Sequence, residues 1–280
     1  AYAGDEEKIK KSFINNFTDN LSNAVQNFLD GEGETKVQIE IGEDYKPEFS
    51  IVTVKPISKH HSVDATFIQL QINEQKIRGD GRLSTNIGIG YRKLSDSKES
   101  ITGANIFLDY DEEGNARASI GLELRSSAFE LLANYYAGIS SGQKVGDYTE
   151  RTLDGIEVSA IGQVPYIPWA NVIAKSYEWE AEKNSKNSKG EKFSLEMTLT
   201  PNIIAELGYD DNNISGTSNF AKIMFVYPAR ETPTASTDFI SDTAFVKGDM
   251  SLELLSIVRR TNKQIIESEG TGITIARTSE

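Results

Sequence analysis

Hydrophobic and polar positions follow two different periods along the chain. Near the start, Ile9, Phe13, Phe17, Leu21, Val25 and Phe28 recur at spacings of four and three, with Lys10, Lys11, Asn15, Asn16, Asp19 and Asn23 between them. This is the 3.6-residue period of an amphipathic helix over residues 8–28. Asp30-Gly31-Glu32-Gly33 supplies its stop and a flexible joint. Two uses are open to such a helix: docking on a membrane surface or a barrel rim, or packing on its own protein. From Lys36 the period falls to two. Val37, Ile39 and Ile41 alternate with Gln38 and Glu40, and Ile87, Ile89 and Tyr91 alternate with Gly88, Gly90 and Arg92. Ala118, Ile120, Leu122 and Leu124 oppose Arg117, Ser119, Glu123 and Arg125, while Phe193, Leu195, Met197 and Leu199 oppose Lys192, Ser194, Glu196 and Thr198. One face of each strand is oily and the other carries polar or ionic groups.

About twelve such strands are predicted between residues 36 and 227, beginning near residues 36, 48, 64, 83, 100, 115, 128, 153, 169, 191, 203 and 218. An even count returns both ends to one side. Connections of roughly two to seven residues follow strands two, four, six, eight and ten, and roughly seven to fifteen follow strands three, five, seven, nine and eleven, the asymmetry of an up-and-down transmembrane barrel. Ten residues at about 3.3 Å, tilted near 45°, rise roughly 23 Å, close to the apolar band of such a barrel. A soluble β-sandwich would show the same alternation with its oily faces joined in a core; the loop asymmetry favours the membrane. Tyr91, Tyr110, Tyr135, Trp169, Tyr177, Trp179, Tyr209 and Tyr227 fall toward strand ends, where interfacial girdles sit.

The predicted organisation is a helix and joint over residues 1–35, a twelve-stranded antiparallel barrel over 36–227, and a post-barrel region over 228–280. In that last region a linker with Pro228 and Pro233 leads to a patchy helical pattern from Asp238 to Arg260, interrupted by Gly248, and then to a short extended run from Gln264 to Glu267.

Composition narrows the chemistry. The 280 residues hold 29 Lys+Arg against 42 Asp+Glu, a formal net charge of −13, which argues against a nucleic-acid partner held by phosphate contacts. With no Cys and two His, the sequence lacks the parts for a zinc site, a disulfide framework or a thiol nucleophile. No metal or cofactor is expected, and no enzyme. His60 and His61 read as turn residues, not as the base of a triad. Asp109, Asp111, Glu112 and Glu113 lack the Gly-centred spacing of an EF-hand and read as a solvated outer loop; Asp210-Asp211-Asn212-Asn213 reads as a tight turn. The first seven residues are polar, so an export signal would precede this numbering.

Several stretches resemble one family in order. They are Asn86-Ile87-Gly88-Ile89-Gly90-Tyr91-Arg92, Gly103 to Asp111, Asn115 to Leu124, Leu131 to Tyr136, Asp147-Tyr148-Thr149-Glu150-Arg151 followed by Asp154-Gly155, Val164-Pro165-Tyr166-Ile167-Pro168, and Val258 to Glu267. Together they are similar to the translocator barrel of the intimin and invasin proteins, the inverse autotransporters of type Ve secretion. The resemblance implies an outer-membrane barrel with a periplasmic N-terminus, a post-barrel segment threaded through the lumen, and a C-terminal passenger, often an adhesin, held at the cell surface. It also implies outer-membrane lipid, periplasmic chaperones and the barrel-assembly machinery as partners. Neither a passenger nor a LysM module lies within this sequence, so a cargo-less structural or pore-forming barrel is the alternative.

Twelve strands leave room for an extended chain or one helix, not for a folded domain. A passenger would therefore cross unfolded, with no phosphate-binding loop present to couple ATP. Arg117, Glu123, Arg125, Glu157, Glu196 and Glu206 are the lumen-lining candidates, since charge on the lipid face is costly. They either pair across a wet lumen or contact the threaded segment. Within residues 238–262, expected to occupy the lumen, Leu252, Leu255, Val258, Arg259, Arg260 and Asn262 are the threading candidates.

Overall fold

Strands with one oily and one polar face need a neighbour on each edge to satisfy their backbone groups, and in lipid only closure provides that. The computed structural model describes residues 32–42, 47–60, 63–183, 186–270 and 274–277. Twelve strands close into a barrel: β1 (Glu34–Ile41), β2 (Pro47–His60), β3 (Asp64–Ile77), β4 (Asp80–Leu94), β5 (Ser100–Asp111), β6 (Ala116–Ser126), β7 (Phe129–Gly138), β10 (Gly155–Val164), β11 (Ile167–Trp179), β12 (Ser188–Thr200), β13 (Ile203–Asn212) and β14 (Gly216–Tyr227). Each pairs antiparallel with its neighbours in sequence, and β1 meets β14 through pairs such as Val37 with Phe225. Four short strands, β8 (Gln143–Val145), β9 (Tyr148–Thr152), β15 (Ile266–Gly270) and β16 (Thr274–Arg277), form a separate sheet in the order β16-β15-β9-β8. The amphipathic helix expected over residues 8–28 lies outside the described residues.

The polarity of the barrel is that of a protein turned inside out. Leu122 is 60% exposed, and Ile87, Ile106, Leu108, Ile120, Leu131, Leu195, Leu207, Ile223 and Phe225 are exposed with it around the outer wall. The alternate positions Gln69, Asn86, Arg92, Asp109, Arg117, Glu123 and Glu157 are buried inside. A soluble fold would bury the first set and hydrate the second.

The connections depart from the alternation expected. After β3 the turn is residues 78–79, after β5 residues 112–115 and after β13 residues 213–215; only residues 139–154 and 180–187 are long. The strands are longer than the apolar band and absorb the rest. Asn73 and Gln75 are buried inside the end of β3, where the outer face has already turned polar and the alternation that marks a strand is lost. Arg78 (φ 56°) and Gly79 (φ 92°) then make a two-residue turn with both residues left-handed, the geometry that matches strand twist in a tight hairpin. His60 ends β2 and does not lie in a turn; His61 lies outside the described residues.

After the barrel, the helical pattern from Asp238 to Arg260 is not realised as a helix. A single 3₁₀ turn, Met250–Leu255, is the one helical element among the described residues. Residues 238–249 are irregular and do not lie within the barrel. They contact the turns at one of its mouths.

Candidate functional site

The inner wall is shaped for rings and guanidinium groups. Gly88 and Gly90 of β4 face inward, and a Cβ on either would sit 2.3 Å from the rings of Phe107 and Phe67 respectively. Without those carbons the rings lie flat against the wall and become platforms: Arg260 stacks over Phe107 at 4.4 Å and Arg92 over Phe67 at 4.6 Å. The glycine alternation in residues 86–92 is a packing requirement at this point.

Residues 254–264 make hydrogen bonds to inward-facing side chains from one strand after another. Arg92 donates to the carbonyls of Leu254 (3.2 Å) and Ser256, and Arg125 donates to Ser256 Oγ. Gln69 accepts from Val258 N–H at 2.8 Å. Arg259 forms a two-pronged pair with Glu196 (2.9 and 2.7 Å) and approaches Glu130 at 3.5 Å. Arg260 forms another with Asp109 (2.8 and 2.7 Å) and donates to Ser119 at 3.1 Å. Thr261 N–H reaches Tyr136 (2.9 Å) and Glu157 (3.1 Å), and its hydroxyl donates to Glu157. Asn262 accepts from Asn86 at its carbonyl, and Lys263 joins Glu40 (2.7 Å) to Glu48. Gln264 N–H donates to Gln75 at 2.9 Å. Lys175 of β11 also donates to Thr261 Oγ1 at 3.1 Å, so contacts come from β1 to β7 and from β10 to β12. Beneath them Leu254, Leu255 and Val258 pack with Val54, Phe67, Leu94, Ile101 and Phe107.

Asp109 is the centre of this set. Its carboxylate receives Arg117 (2.8 Å), Arg260 and Asn86 (2.7 Å), and the side chains of all three charged residues are wholly buried. Tyr136 lies beneath both cations, 4.4 Å from Arg117 and 5.4 Å from Arg260. A buried carboxylate held between two guanidiniums has its charge matched on both sides, and geometry this good offsets the desolvation that burial imposes. Beside residues 257–263 a cavity of about 260 Å³ remains, walled on the far side by Lys36, Glu40, Lys192, Glu206 and Lys222.

All six lumen-lining candidates are buried on inward faces: Arg117, Glu123, Arg125, Glu157, Glu196 and Glu206. Arg117, Arg125, Glu157 and Glu196 touch residues 254–264 directly. Glu123 acts through Arg92 (2.9 Å), and Glu206 accepts from Ser194 and pairs with Lys222. Among the threading candidates, Leu255, Val258 and Arg260 are buried; Leu252 is not, being 68% exposed on the outer side of the 3₁₀ turn. The N-terminus of that turn is capped by Asp249, whose carboxylate accepts from Ser251 N–H and Oγ–H and is thereby held below the usual range.

The structure departs from the sequence expectation at three places. Asp109 and Asp111 are not a solvated loop: β5 runs to Asp111 and both are buried inside. Glu112 and Glu113 alone stay exposed. Asp210 and Asn212 are likewise buried, Asp210 accepting from Tyr177 Oη at 2.7 Å. Tyr177 and Trp179 are not girdle residues, because Glu157 pairs with Tyr177 and Gly155 with Trp179 across β10 and β11, which fixes both on the inward face. They are buried with Tyr136, Leu153 and Ile265. Tyr91, Tyr110, Tyr135, Tyr209 and Tyr227 are exposed outward; Trp169 is half-buried and stacks on Phe239. Asp109, Glu130, Glu40, Glu48, Arg92 and Lys263 were missed. The inward parity of Asp109, two residues beyond Phe107, was the signal available.

The ends of the segment meet different structures. Before Met250, the chain contacts turns at the mouth where β14 ends. At the other mouth β15 pairs with β9 of the long β7–β10 loop. That loop is anchored by Glu150, which receives Arg82, Arg78 (3.0 Å) and Asn115 (3.1 Å).

The family model described as inverse autotransporter, beta-domain, matches residues 2–232. No curated protein sequence matches the chain. Among solved structures, one from work described as "Unveiling the Mechanism Behind the in-meso Crystallization of Membrane Proteins" aligns with TM-score 0.64 and 19% identity, over 84% of this chain and 100% of that one. The KdgM porin aligns with TM-score 0.45 and 4% identity over 69% and 98%. The NanC porin gives 0.46 and 12% over the same shares.

Proposed function

The chain belongs to the inverse autotransporter family through its β-domain, and from that premise we propose that it exports a C-terminal passenger across the bacterial outer membrane and then anchors it. In this reading the mouth that carries both barrel ends faces the periplasm. Residues 250–265 are the threaded segment, with Arg259, Arg260 and Lys263 as its latches. The single observation that carries the reading is the set of paired charges between residues 259–263 and the inner wall. A chain merely collapsed on a barrel would not meet a buried, correctly signed partner at each of three nearby cations.

The mechanism follows from size and charge. The lumen admits extended chain, so the passenger passes unfolded, and its folding outside supplies the drive in place of nucleotide hydrolysis. When transport stops, the latches close and the pairing of β15 with β9 holds the exit. Periplasmic chaperones and the barrel-assembly machinery belong to the same reading. Residues 254–264 leave only a cavity of about 260 Å³ beside them, which supports translocation and anchoring over a conducting cargo-less pore.

The experiment is to append an epitope-tagged, slow-folding passenger after Glu280 and treat intact cells with protease. The tag is expected to be cleaved without permeabilising the outer membrane. Protection in intact cells, with cleavage only after permeabilisation, would overturn the proposal.

A further inference from the structure

Residues 230–250 do not go straight from β14 into the barrel. Arg230 N–H donates to Pro201 O at the β12–β13 turn, and Ala235 N–H to Thr198 O near the end of β12. Ser241 donates to Tyr166 O, and Tyr166 donates back to Ala244 O, at the β10–β11 turn. Val246 N–H reaches Gln163, Gly248 N–H reaches Ser127 at the β6–β7 turn, and Met250 N–H reaches Lys98 O at the β4–β5 turn. The linker thus follows one mouth of the barrel from β14 round to β4, and its path is fixed by hydrogen bonds from its backbone to carbonyls and side chains of successive turns and strand ends.

Along that path it leaves large apolar side chains exposed. Phe239 is 66% exposed, Ile240 72% and Phe245 51%. Phe239 also stacks on Trp169 at 6.1 Å, and Trp169 Nε1 donates to its carbonyl at 3.0 Å. Tyr91, Phe129, Tyr166 and Tyr227, exposed at this same end of the barrel, continue the apolar wall toward it. Between the two apolar groups lie Ser241, Asp242 and Thr243. Aromatic and aliphatic residues beside an acidic turn match the boundary between acyl chains and headgroups, not the hydrocarbon midplane.

We propose that residues 239–245 form a lipid-binding belt that inserts Phe239, Ile240 and Phe245 into the interfacial layer of the leaflet at this mouth. The belt fixes the linker where it enters the bore, so tension on the exported chain is borne by lipid contacts as well as by the latches inside. The occupant is phospholipid, because the patch is hydrogen-bonded to both sides of Tyr166, one of the exposed aromatics that end the apolar outer wall.

The inference rests on the outer-membrane reading of the barrel, and the test separates them. The chain has no Cys, so spin labels on I240C, F245C and L122C, each in the full chain reconstituted in phospholipid vesicles, report accessibility to oxygen and to a nickel chelate. I240C and F245C should favour oxygen, at a depth shallower than L122C. A preference for the nickel chelate at I240C and F245C, with L122C still in lipid, would overturn the belt and leave the barrel reading intact. Protection from both reagents would also overturn it, pointing to a protein cover. Nickel access at L122C would refute the membrane reading itself.

Discussion

Replacing Asp109 by Asn removes one charge from a site where nothing else can take its place. The carboxylate holds Arg117 and Arg260, and all three side chains are wholly buried, so solvent screening is slight. Asn keeps the volume but leaves two guanidiniums facing a neutral amide. Breaking a buried pair from one side costs about 3–5 kcal/mol. Arg117 bears its share whether or not residues 250–265 occupy the bore; the share of Arg260 counts against occupancy alone. With about half of the cost assigned to Arg260, the ratio of occupied to vacated bores falls roughly tenfold to sixtyfold at 1.4 kcal/mol per decade. Single-channel recording in planar bilayers reads this as more frequent open events than the parent shows. D109N combined with R260M tests the pairing: the two effects should couple by about 0.5–3 kcal/mol, the range for contacting residues. A D109N trace as quiet as the parent's, or strictly additive effects, would refute the reasoning.

Other perturbations address separate parts of the account. Lys263→Met leaves Glu40 and Glu48 without the ammonium between them, and should raise open probability with a cost of about 1–3 kcal/mol; unchanged recordings would remove this latch. Gly88→Val places a side chain where Phe107 lies, at 2.3 Å from the Cβ position, and should lower barrel stability by about 1–3 kcal/mol, read as an earlier loss of the folded gel form on heating. Leu122→Arg should cost roughly 2–4 kcal/mol if that residue meets the bilayer midplane, measured as a shift in the urea midpoint of folding into vesicles; no shift would place it away from hydrocarbon.

The sequence made the barrel legible because closure in lipid demands a strict period of two, and the demand shows wherever the outer face is apolar. Strand starts near 64, 100, 115 and 203 were readable for that reason. The demand lapses beyond the apolar band, and so Glu74 to Ile77 and Asp80 to Arg82 looked like loop although they are strand. The site was less legible. Arg117, Glu157 and Glu196 declare themselves by parity, since charge must face inward. Asp109 and Asp210 were hidden by acidic neighbours that resemble a turn, and Tyr177 and Trp179 by an expectation that aromatics near strand ends face lipid. Partners between residues 259–263 and the wall are separated by up to 223 positions along the chain, and no local pattern encodes such a pairing. The post-barrel helix failed for a related reason: the wall fills the hydrogen-bonding needs of residues 254–264 one by one, so an internal ladder is not required.

The most direct test of the account is whether residues 250–265 occupy the bore in the membrane. Gln69 and Val258 are buried against each other, with the Val258 amide 2.8 Å from Gln69 Oε1. The Cys-free chain permits Q69C and V258C, each treated with a water-soluble maleimide in intact outer membranes and again after denaturation. The account predicts that both thiols are protected in the membrane and react fully once the chain is denatured, because each is buried by the other segment. Ready modification of both thiols in the intact membrane would contradict it.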